Sequence, residues 1–390
     1  MHCLLMTTKS CAFVATSFGF GPVSKAVSIA LELKNQVPQM ERHFFGAGIS
    51  FDYARKSGAF DVLTNIDVDN HEQLVGLLPT LTSYCAVFSV LNLSILPLWN
   101  STYPPLHFVD SLAWMWPSPP EGIENVATYF VQDYLLSSQR IQEWTSLCPV
   151  ALIPPIEPEI TSDLEIPAEK RNLLAVNFSG CANPFAPVRL YEEYASILTA
   201  AILKEAGQRF NQIIFCCNER LADYLRGKFA AHTVSFGHFS HEDFLKTLVS
   251  AEMVLSAPGI TSTLEALALD VPIRFLLPQN DSQALISERC KSLLGEECCM
   301  AFSRFGPQFT FPMYLPPQES VALALDQLRT ILTNHRSEVG SMVRGLMSQT
   351  SSYSIAALRS NITKQWNCSG QEMVVSKFVA GTECSGVRST

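Results

Sequence analysis

The stretch Ser256–Gln283 (SAPGITSTLEALALDVPIRFLLPQNDSQ) gathers a glycine, three hydroxyl residues, a carboxylate and a polar cluster. A helix that opens just after Gly259 turns its free backbone N–H groups and the positive end of its dipole outward, which suits a phosphate. Gly259, Ile260 and Thr261 are therefore the expected anion-binding turn. Thr261, Ser262 and Thr263 are expected to cap the helix, and Leu264, Leu267 and Ala268 form its apolar stripe. Glu265 lies one turn in, and helical side chains lean toward the N-terminus. Its carboxylate cannot hold a phosphate, but it can accept hydrogen bonds from the hydroxyls of an attached ribose. The alternative is an ordinary αβ unit whose glutamate merely favours a helix start. That alternative leaves the polar cluster Gln279, Asn280, Asp281 and Gln283 without a purpose.

Two strands must hold this chemistry in place. Met253-Val254-Leu255 precedes the turn, and Ile273–Leu277 delivers the polar cluster at its C-terminal end, where open α/β sheets bind ligands. Upstream in the same half run LLAVNFSG from Leu173, a helix from about Leu190 to Ala206 and a strand at Gln212–Cys217. A helix around Leu221–Ala230, a strand at Thr233–Phe236 and a helix through His241–Ala251 follow. The first half alternates in the same way. Its expected strands are Cys11–Thr16, His43–Ala47, Ala86–Val90, Leu106–Val109, Tyr129–Val131 and Val150–Ile153, with a helix from about Val23 to Leu33 and an acidic turn at Asp67–Asp69. This is the pattern of two parallel-sheet α/β domains. The proline-rich, acidic stretch Pro154–Pro167 reads as the linker between them. The expected division is 1–153, a linker over 154–170, 171–366, and a loosely ordered Ser/Gly/Thr-rich tail over 367–390.

Composition removes several function classes. A chain of 390 residues has room for two cores. Apolar residues make up 47% and charged residues 16%, so the chain is globular and not disordered. Net charge of −9 and a pI near 5.4 argue against a nucleic-acid partner. The same charge means that a phosphate site must rest on local backbone groups. Twelve cysteines show no metal-ligand or redox spacing. Cys11, Cys85 and Cys216 sit in apolar runs and read as small buried hydrophobes. Without a basic-then-apolar opening segment or a membrane-length apolar run, the expectation is a cytoplasmic protein.

The first βα loop, Ser17–Lys25 (SFGFGPVSK), looks like a dinucleotide fingerprint but lacks the third glycine, and Pro22 removes a phosphate-binding N–H. No acidic residue ends the second strand, so a nicotinamide oxidoreductase is disfavoured. His238 and His241 have no third ligand, so no metal is expected.

Taken together, Pro258-Gly259, Thr261, Glu265-Ala266, Pro272 and Asn280–Gln283 resemble the nucleotide-sugar donor motif of GT-B-fold glycosyltransferases. The resemblance implies two Rossmann-like domains facing a cleft, with C-terminal helices crossing back, and inverting transfer without metal or other cofactor. The implied partners are a nucleoside-diphosphate sugar (a UDP-sugar in this reading) and a small-molecule acceptor. It places Ser179 and Gly180 in the loop Asn177–Pro184, with the Gly259 turn, on the diphosphate. Glu265 falls on the ribose, Asn280 and Gln283 on the sugar, and backbone groups of Phe236–Phe239 near the base. Taken alone, the Ser179–Gly180 loop is equally an ordinary strand-to-helix turn. The first βα loop would face acceptor or sugar, with Gly19 and Gly21 allowing close approach. Lys25 would meet a carboxylate or phosphate, or else be a solvated first-turn lysine.

Many inverting members carry a catalytic histidine in that loop; this chain has none. Asp110, at the end of an apolar strand, is the expected substitute base, unless it only caps the Ser111–Met115 turn. His107 reads as a core histidine. A narrower resemblance, carried by FGFGPVSK, LLAVNFSGCANPF and PGITSTLEA…LPQNDSQ, is to cytosylglucuronate synthases. It implies transfer of glucuronate to a ring nitrogen of cytosine. A GT-B sugar-nucleotide epimerase and a non-catalytic nucleotide-sugar-binding partner are the other readings.

Overall fold

A computed structural model describes residues 9–134, 139–157, 164, 171–179, 181, 186–207, 209–230, 234–348, 355–362 and 367–386. The chain divides into two compact units. One comprises Met1–Trp114, Ser118–Pro158 and Gln365–Thr390, the other Met115–Pro117 and Glu159–Lys364. Most of the stretch read as a linker, and part of the Asn177–Pro184 loop including Gly180, lies outside the described residues.

In the first unit, β1 (Ser10–Ala15), β2 (Glu41–Gly46), β3 (Val62–Asn65), β4 (Ala86–Val90), β5 (Leu106–Asp110), β6 (Thr128–Gln132) and β7 (Val150–Ile153) form one sheet. Every pairing is parallel, and the order is β3-β2-β1-β4-β5-β6-β7. Such sheets are covered on both faces, which is why β1, β4 and β5 read as near-continuous apolar runs. Phe13 of β1 shows the packing, with the rings of Phe60 and Phe88 at 5.4 and 5.0 Å. The strand order reverses at β1, so the loops after β1 and β4 diverge there. β3 escaped sequence reading because it is a four-residue edge strand with no buried side chain. The helix Gly21–Gln36 starts two residues before the expected Val23. Pro22 fits its first turn, where a missing N–H costs nothing.

In the second unit, β8 (Arg171–Asn177), β9 (Gln212–Cys216), β10 (Ser235–Gly237), β11 (Ala251–Ser256) and β12 (Ile273–Phe275) form a parallel sheet in the order β10-β9-β8-β11-β12. Its reversal lies between β8 and β11, where Asn177 and Ser256 are paired at the strand ends.

The C-terminal segment departs from expectation. The helices Pro317–Asn334, Arg336–Ser348 and Ile355–Ile362 stay with the second unit. Buried Arg274 and partly exposed Arg209 donate to the carbonyls of Leu346 and Met347 at the end of the middle helix, where cations suit both dipole and unpaired carbonyls. The supposed loose tail is the helix Gly370–Gly386, and it belongs to the first unit. Val374, Val375 and Phe378 are buried in that unit's core. Their one-turn spacing was the overlooked signal, masked by glycine and serine around it. Gly370 makes the docking possible, because a Cβ there would lie 2.4 Å from the Pro154 carbonyl oxygen. Its N–H donates to Pro155 at 3.2 Å, and Glu157 N–H donates to Gln371 Oε1 at 3.1 Å. Among the described residues, no helix is long and apolar enough to cross a membrane.

Candidate functional site

β11 ends at Ser256, and Gly259 is the N-cap of the helix Ile260–Ala268 in extended backbone (φ −102°, ψ 147°). The expected hydroxyl cap is not formed: the N-cap is Gly259, which has no side chain, and no other side chain among the described residues caps this helix. Thr263 Oγ1 instead donates backward to the Gly259 carbonyl at 2.7 Å, and Ser262 Oγ accepts from Asn177 Nδ2 at 3.1 Å. The Ser262 and Thr263 hydroxyls are thus spent on tying the turn down, while among the described residues the first N–H groups receive no side-chain oxygen. An uncapped helix start is the geometry in which backbone N–H groups can meet an anion.

Asn177, at the end of β8, organises the neighbouring loop. Its Nδ2 also donates to Ser256 Oγ at 3.2 Å, and its Oδ1 accepts the Ser179 N–H at 2.8 Å. Ser179 and Cys181 both have left-handed backbone, φ 55° and 41°, a costly state for residues with side chains and one found at ligand-binding turns. A methyl group built on Gly259 would lie 3.9 Å from Ser179 Oγ. The fold therefore brings together Ser179, Gly259, Ile260 and Thr261. In the sequence Asn177 stands only as the first residue of the loop. An asparagine two residues before a turn serine is an Asx-type signal, and it could have marked this hub.

Glu265 is almost fully buried, 3% exposed, and its Oε1 lies 2.8 Å from His241 Nε2. His241 opens the helix His241–Ser250, which Ser240 caps through the Asp243 N–H at 3.1 Å. Its side chain stays 24% accessible, so the pair offers a carboxylate and an imidazole on one edge. In the sequence His241 stands out only beside His238. No short-range spacing links it to Glu265, 24 residues on.

The polar cluster after β12 is more committed than expected. Asn280 caps the helix Asp281–Leu294, its Oδ1 accepting Gln283 N–H at 2.9 Å and Ser282 Oγ–H at 3.0 Å. Gln283 Oε1 accepts the Gln279 N–H at 2.9 Å, completing a reciprocal cap. Gln279 Nε2 donates to the Phe178 carbonyl at 2.8 Å, which ties this loop to the Ser179 turn. Burial raises the Asp281 carboxyl above its usual range, with a Ser320 hydrogen bond opposing.

The first unit's loops are knitted differently. Asp69 Oδ1 accepts from Thr16 Oγ1 at 2.6 Å and Oδ2 from the Ser17 N–H at 2.7 Å. Ser17 Oγ donates to Ala47 O at 2.8 Å, Ser50 Oγ to Thr16 O at 3.0 Å, and Asn92 Nδ2 to Val68 O at 2.9 Å. The loops after β1, β2, β3 and β4 thus form one hydrogen-bonded edge. Asp69 remains partly exposed. Desolvation raises its carboxyl, against the hydrogen bonds from Thr16 and Ser17. Gly19 has φ +69° with open space beside it, and Gly21 begins the helix. Lys25 is not a solvated lysine: it is 3% exposed, with Nζ 3.2 Å from the Gly21 carbonyl oxygen.

Asp110 is placed at the end of β5 as expected, but its carboxylate is sealed. It has no exposure, and its oxygens accept the Leu112 N–H at 2.6 Å and the Tyr129 hydroxyl at 2.5 Å. The turn-capping alternative describes this geometry; a base must also reach its substrate. His107 is a core histidine, packed on Phe88, Phe130 and Phe378 at 5.2, 6.1 and 5.5 Å. Burial lowers its pKa to about 4.

Two all-parallel Rossmann-like sheets, with the last helix returning to the first unit, define the GT-B glycosyltransferase fold. No family model matches the chain, and no curated protein matches it in sequence. Among solved structures, UGT71G1 of Medicago truncatula, complexed with UDP-glucose, is similar over 96% of this chain and 98% of that one, at 11% identity and a TM-score of 0.52. TcCGT1, in complex with UDP, is similar over 97% and 99%, at 10% identity and a TM-score of 0.53.

Proposed function

We propose that the chain is a glycosyltransferase that moves a sugar, with inversion, from a nucleoside-diphosphate donor to a small-molecule acceptor. The observation that carries this reading is the uncapped start of the helix Ile260–Ala268 beside the left-handed Ser179 turn, with Glu265 one turn further in. Backbone N–H groups of Ile260 and Thr261, with the Ser179 turn, hold the diphosphate and stabilise it as the leaving group. Glu265, steadied by His241, takes the ribose hydroxyls. Asn280 and Gln283 contact the sugar, alongside their capping role. The solved neighbours carry UDP-glucose and UDP, which supports a uridine nucleotide as donor.

In the reaction, an acceptor nucleophile forms a bond to the anomeric carbon as the bond to the diphosphate oxygen breaks, and the acceptor proton goes to a base. Asp69 is the carboxylate we assign to that step. It sits on the first unit's loop edge, is partly exposed, and keeps free lone pairs after accepting two hydrogen bonds. Asp110 then acts as a positioning residue for the Ser111–Met115 turn. Transfer of glucuronate to cytosine is the sharper form of the proposal, although Lys25, invoked for the uronate, is buried against its own helix.

UDP titration followed by assays with UDP-sugars and an acceptor panel tests these steps, with UDP-glucuronate plus cytosine as one arm. Transfer with stoichiometric UDP release is the expected result. Epimerisation without acceptor, or tight UDP binding without turnover, would replace the transferase reading. Glu265→Ala should weaken UDP binding by about 10- to 100-fold, the worth of charge-assisted hydrogen bonds. Unchanged UDP affinity would remove the donor-site assignment itself.

A further inference from the structure

Away from both loop edges, β1 and β4 bring two thiols together at their N-terminal ends. Cys11 Sγ and Cys85 Sγ lie 3.5 Å apart, and the Met40 thioether lies 3.6 Å from Cys85. The strands are hydrogen-bonded neighbours here, with Cys85 N–H donating to the Ser10 carbonyl at 2.9 Å and Cys11 in register with Ala86. Adjacent strands run about 4.8 Å apart, within the Cα separation that a disulfide spans. We propose that Cys11 and Cys85 are a redox modification site, a dithiol that closes to a disulfide between β1 and β4.

The two sulfurs are unequal in a way that suits this chemistry. Cys11 has no solvent exposure, whereas Cys85 is partly accessible. The Cys11 thiol hydrogen-bonds to the Cys85 sulfur and, with Lys9 nearby, lowers the Cys85 pKa; the same contact and burial raise that of Cys11. Elsewhere burial pushes thiols up, to about 12 at Cys217 and Cys290 and about 11 at Cys148 and Cys298. Thiolate character and access select the thiol that reacts first. With a peroxide as oxidant, the Cys85 thiolate attacks one peroxide oxygen, giving a sulfenic acid and one water. Cys11 sulfur then displaces the sulfenic oxygen as a second water, and the S–S bond forms. Two thiols lose two electrons, and one peroxide is reduced to two waters. A thiol reductant reverses the change through a mixed disulfide.

The test is oxidation of the whole folded chain, kept dilute, with hydrogen peroxide near stoichiometry, followed by peptide mass mapping. The expected product joins the Cys11 and Cys85 peptides with loss of two hydrogens, and dithiothreitol restores both thiols. In Cys11→Ser, Cys85 should stop at a sulfenic acid that dimedone traps, and in Cys85→Ser no link to Cys11 should form. The proposal is overturned if Cys85 in the native chain is trapped by dimedone while Cys11 stays reduced. It is equally overturned if the disulfides formed involve Cys368 or a second chain while this pair stays free.

Discussion

The loop edge of the second unit sets an uncapped helix start beside a left-handed turn, while that of the first unit ties four loops to one another through side-chain hydrogen bonds. At Gly259 a helix starts with no side-chain cap, and the nearby hydroxyls brace the turn from behind. At the other edge, Ser17, Ser50 and Asn92 are each spent on a neighbouring loop, while Asp69 accepts two hydrogen bonds and stays partly exposed. Both edges are polar, and helices without a side-chain cap open on both, at Gly259 in the second unit and at Phe20 and Ala47 in the first; what sets Gly259 apart is the left-handed Ser179 turn beside it.

The largest expected effect probes the first unit's edge. Asp69→Asn keeps an acceptor oxygen for the Ser17 N–H, lets the Thr16 hydroxyl rotate to accept from the new amide, and removes basicity. Turnover should fall by about 100- to 10,000-fold, the range for losing a general base, while UDP affinity stays within about twofold. If UDP affinity fell equally, Asp69 would be structural and the two edges would not divide the labour. The second unit is tested in the opposite sense by filling its open helix start. Gly259→Asp fits sterically, because a Cβ meets its nearest atoms, Ser262 and Ser179 Oγ, at 3.5 and 3.9 Å. The new carboxylate caps the helix, which should raise stability by a few tenths of a kcal/mol. The same group occupies and repels the diphosphate position, so UDP affinity should drop by about 100-fold or more, the worth of several charge-assisted bonds. Calorimetric titration and thermal melts on one preparation read both signs together.

This asymmetry also explains what the sequence made legible. Gly259, Glu265 and the Asn280–Gln283 cluster stand out in the sequence because a glycine helix start, a carboxylate and a polar cluster lie within one short segment. The β1, β4, β5 and β8 runs were equally plain, being buried on both faces. Asp69 could not be read in the same way. Its partners Thr16 and Ser17 lie 53 and 52 residues away, and only the strand order makes them neighbours. The His241–Glu265 contact was hidden for the same reason. Asp110 was located correctly, but its burial depends on Tyr129 from the adjacent strand. The helix Gly370–Gly386 was hidden because scattered glycine, serine and threonine in the C-terminal segment obscured its apolar stripe Val374, Val375 and Phe378.

The helix Gly370–Gly386 supplies the next contrast, since it shuts His107 into the first unit's core through Phe378. Nδ1 of His107 has no hydrogen-bond partner among the described residues, so nothing compensates a proton there. With a folded pKa of about 4 against 6.5 when unfolded, the unfolded state binds the extra proton between those values. Stability should therefore fall as pH drops through 6.5 and stop losing from this group below about 4. The total is on the order of 3 kcal/mol. His107→Phe should flatten that part of the stability–pH curve relative to the native chain, as read by denaturant melts from pH 4 to 7. An unchanged slope would mean that the proton finds a partner.

The smallest effect returns to the comparison inside the second unit, between its capped and uncapped helix starts. Asn280 does for the helix Asp281–Leu294 what no side chain does for Ile260–Ala268. Asn280→Ala should cost about 1 kcal/mol of stability, the usual worth of an N-cap. Asn280→Ser retains a capping oxygen and should recover most of that. Asn280 is also assigned to the donor sugar, so the serine variant separates its two roles. Near-native stability with a raised donor KM, and UDP binding unchanged, means that the amide holds the sugar as well as the helix start. Recovery of stability and of donor KM together would make Asn280 a cap alone, leaving Gln283 to hold the sugar in that cluster.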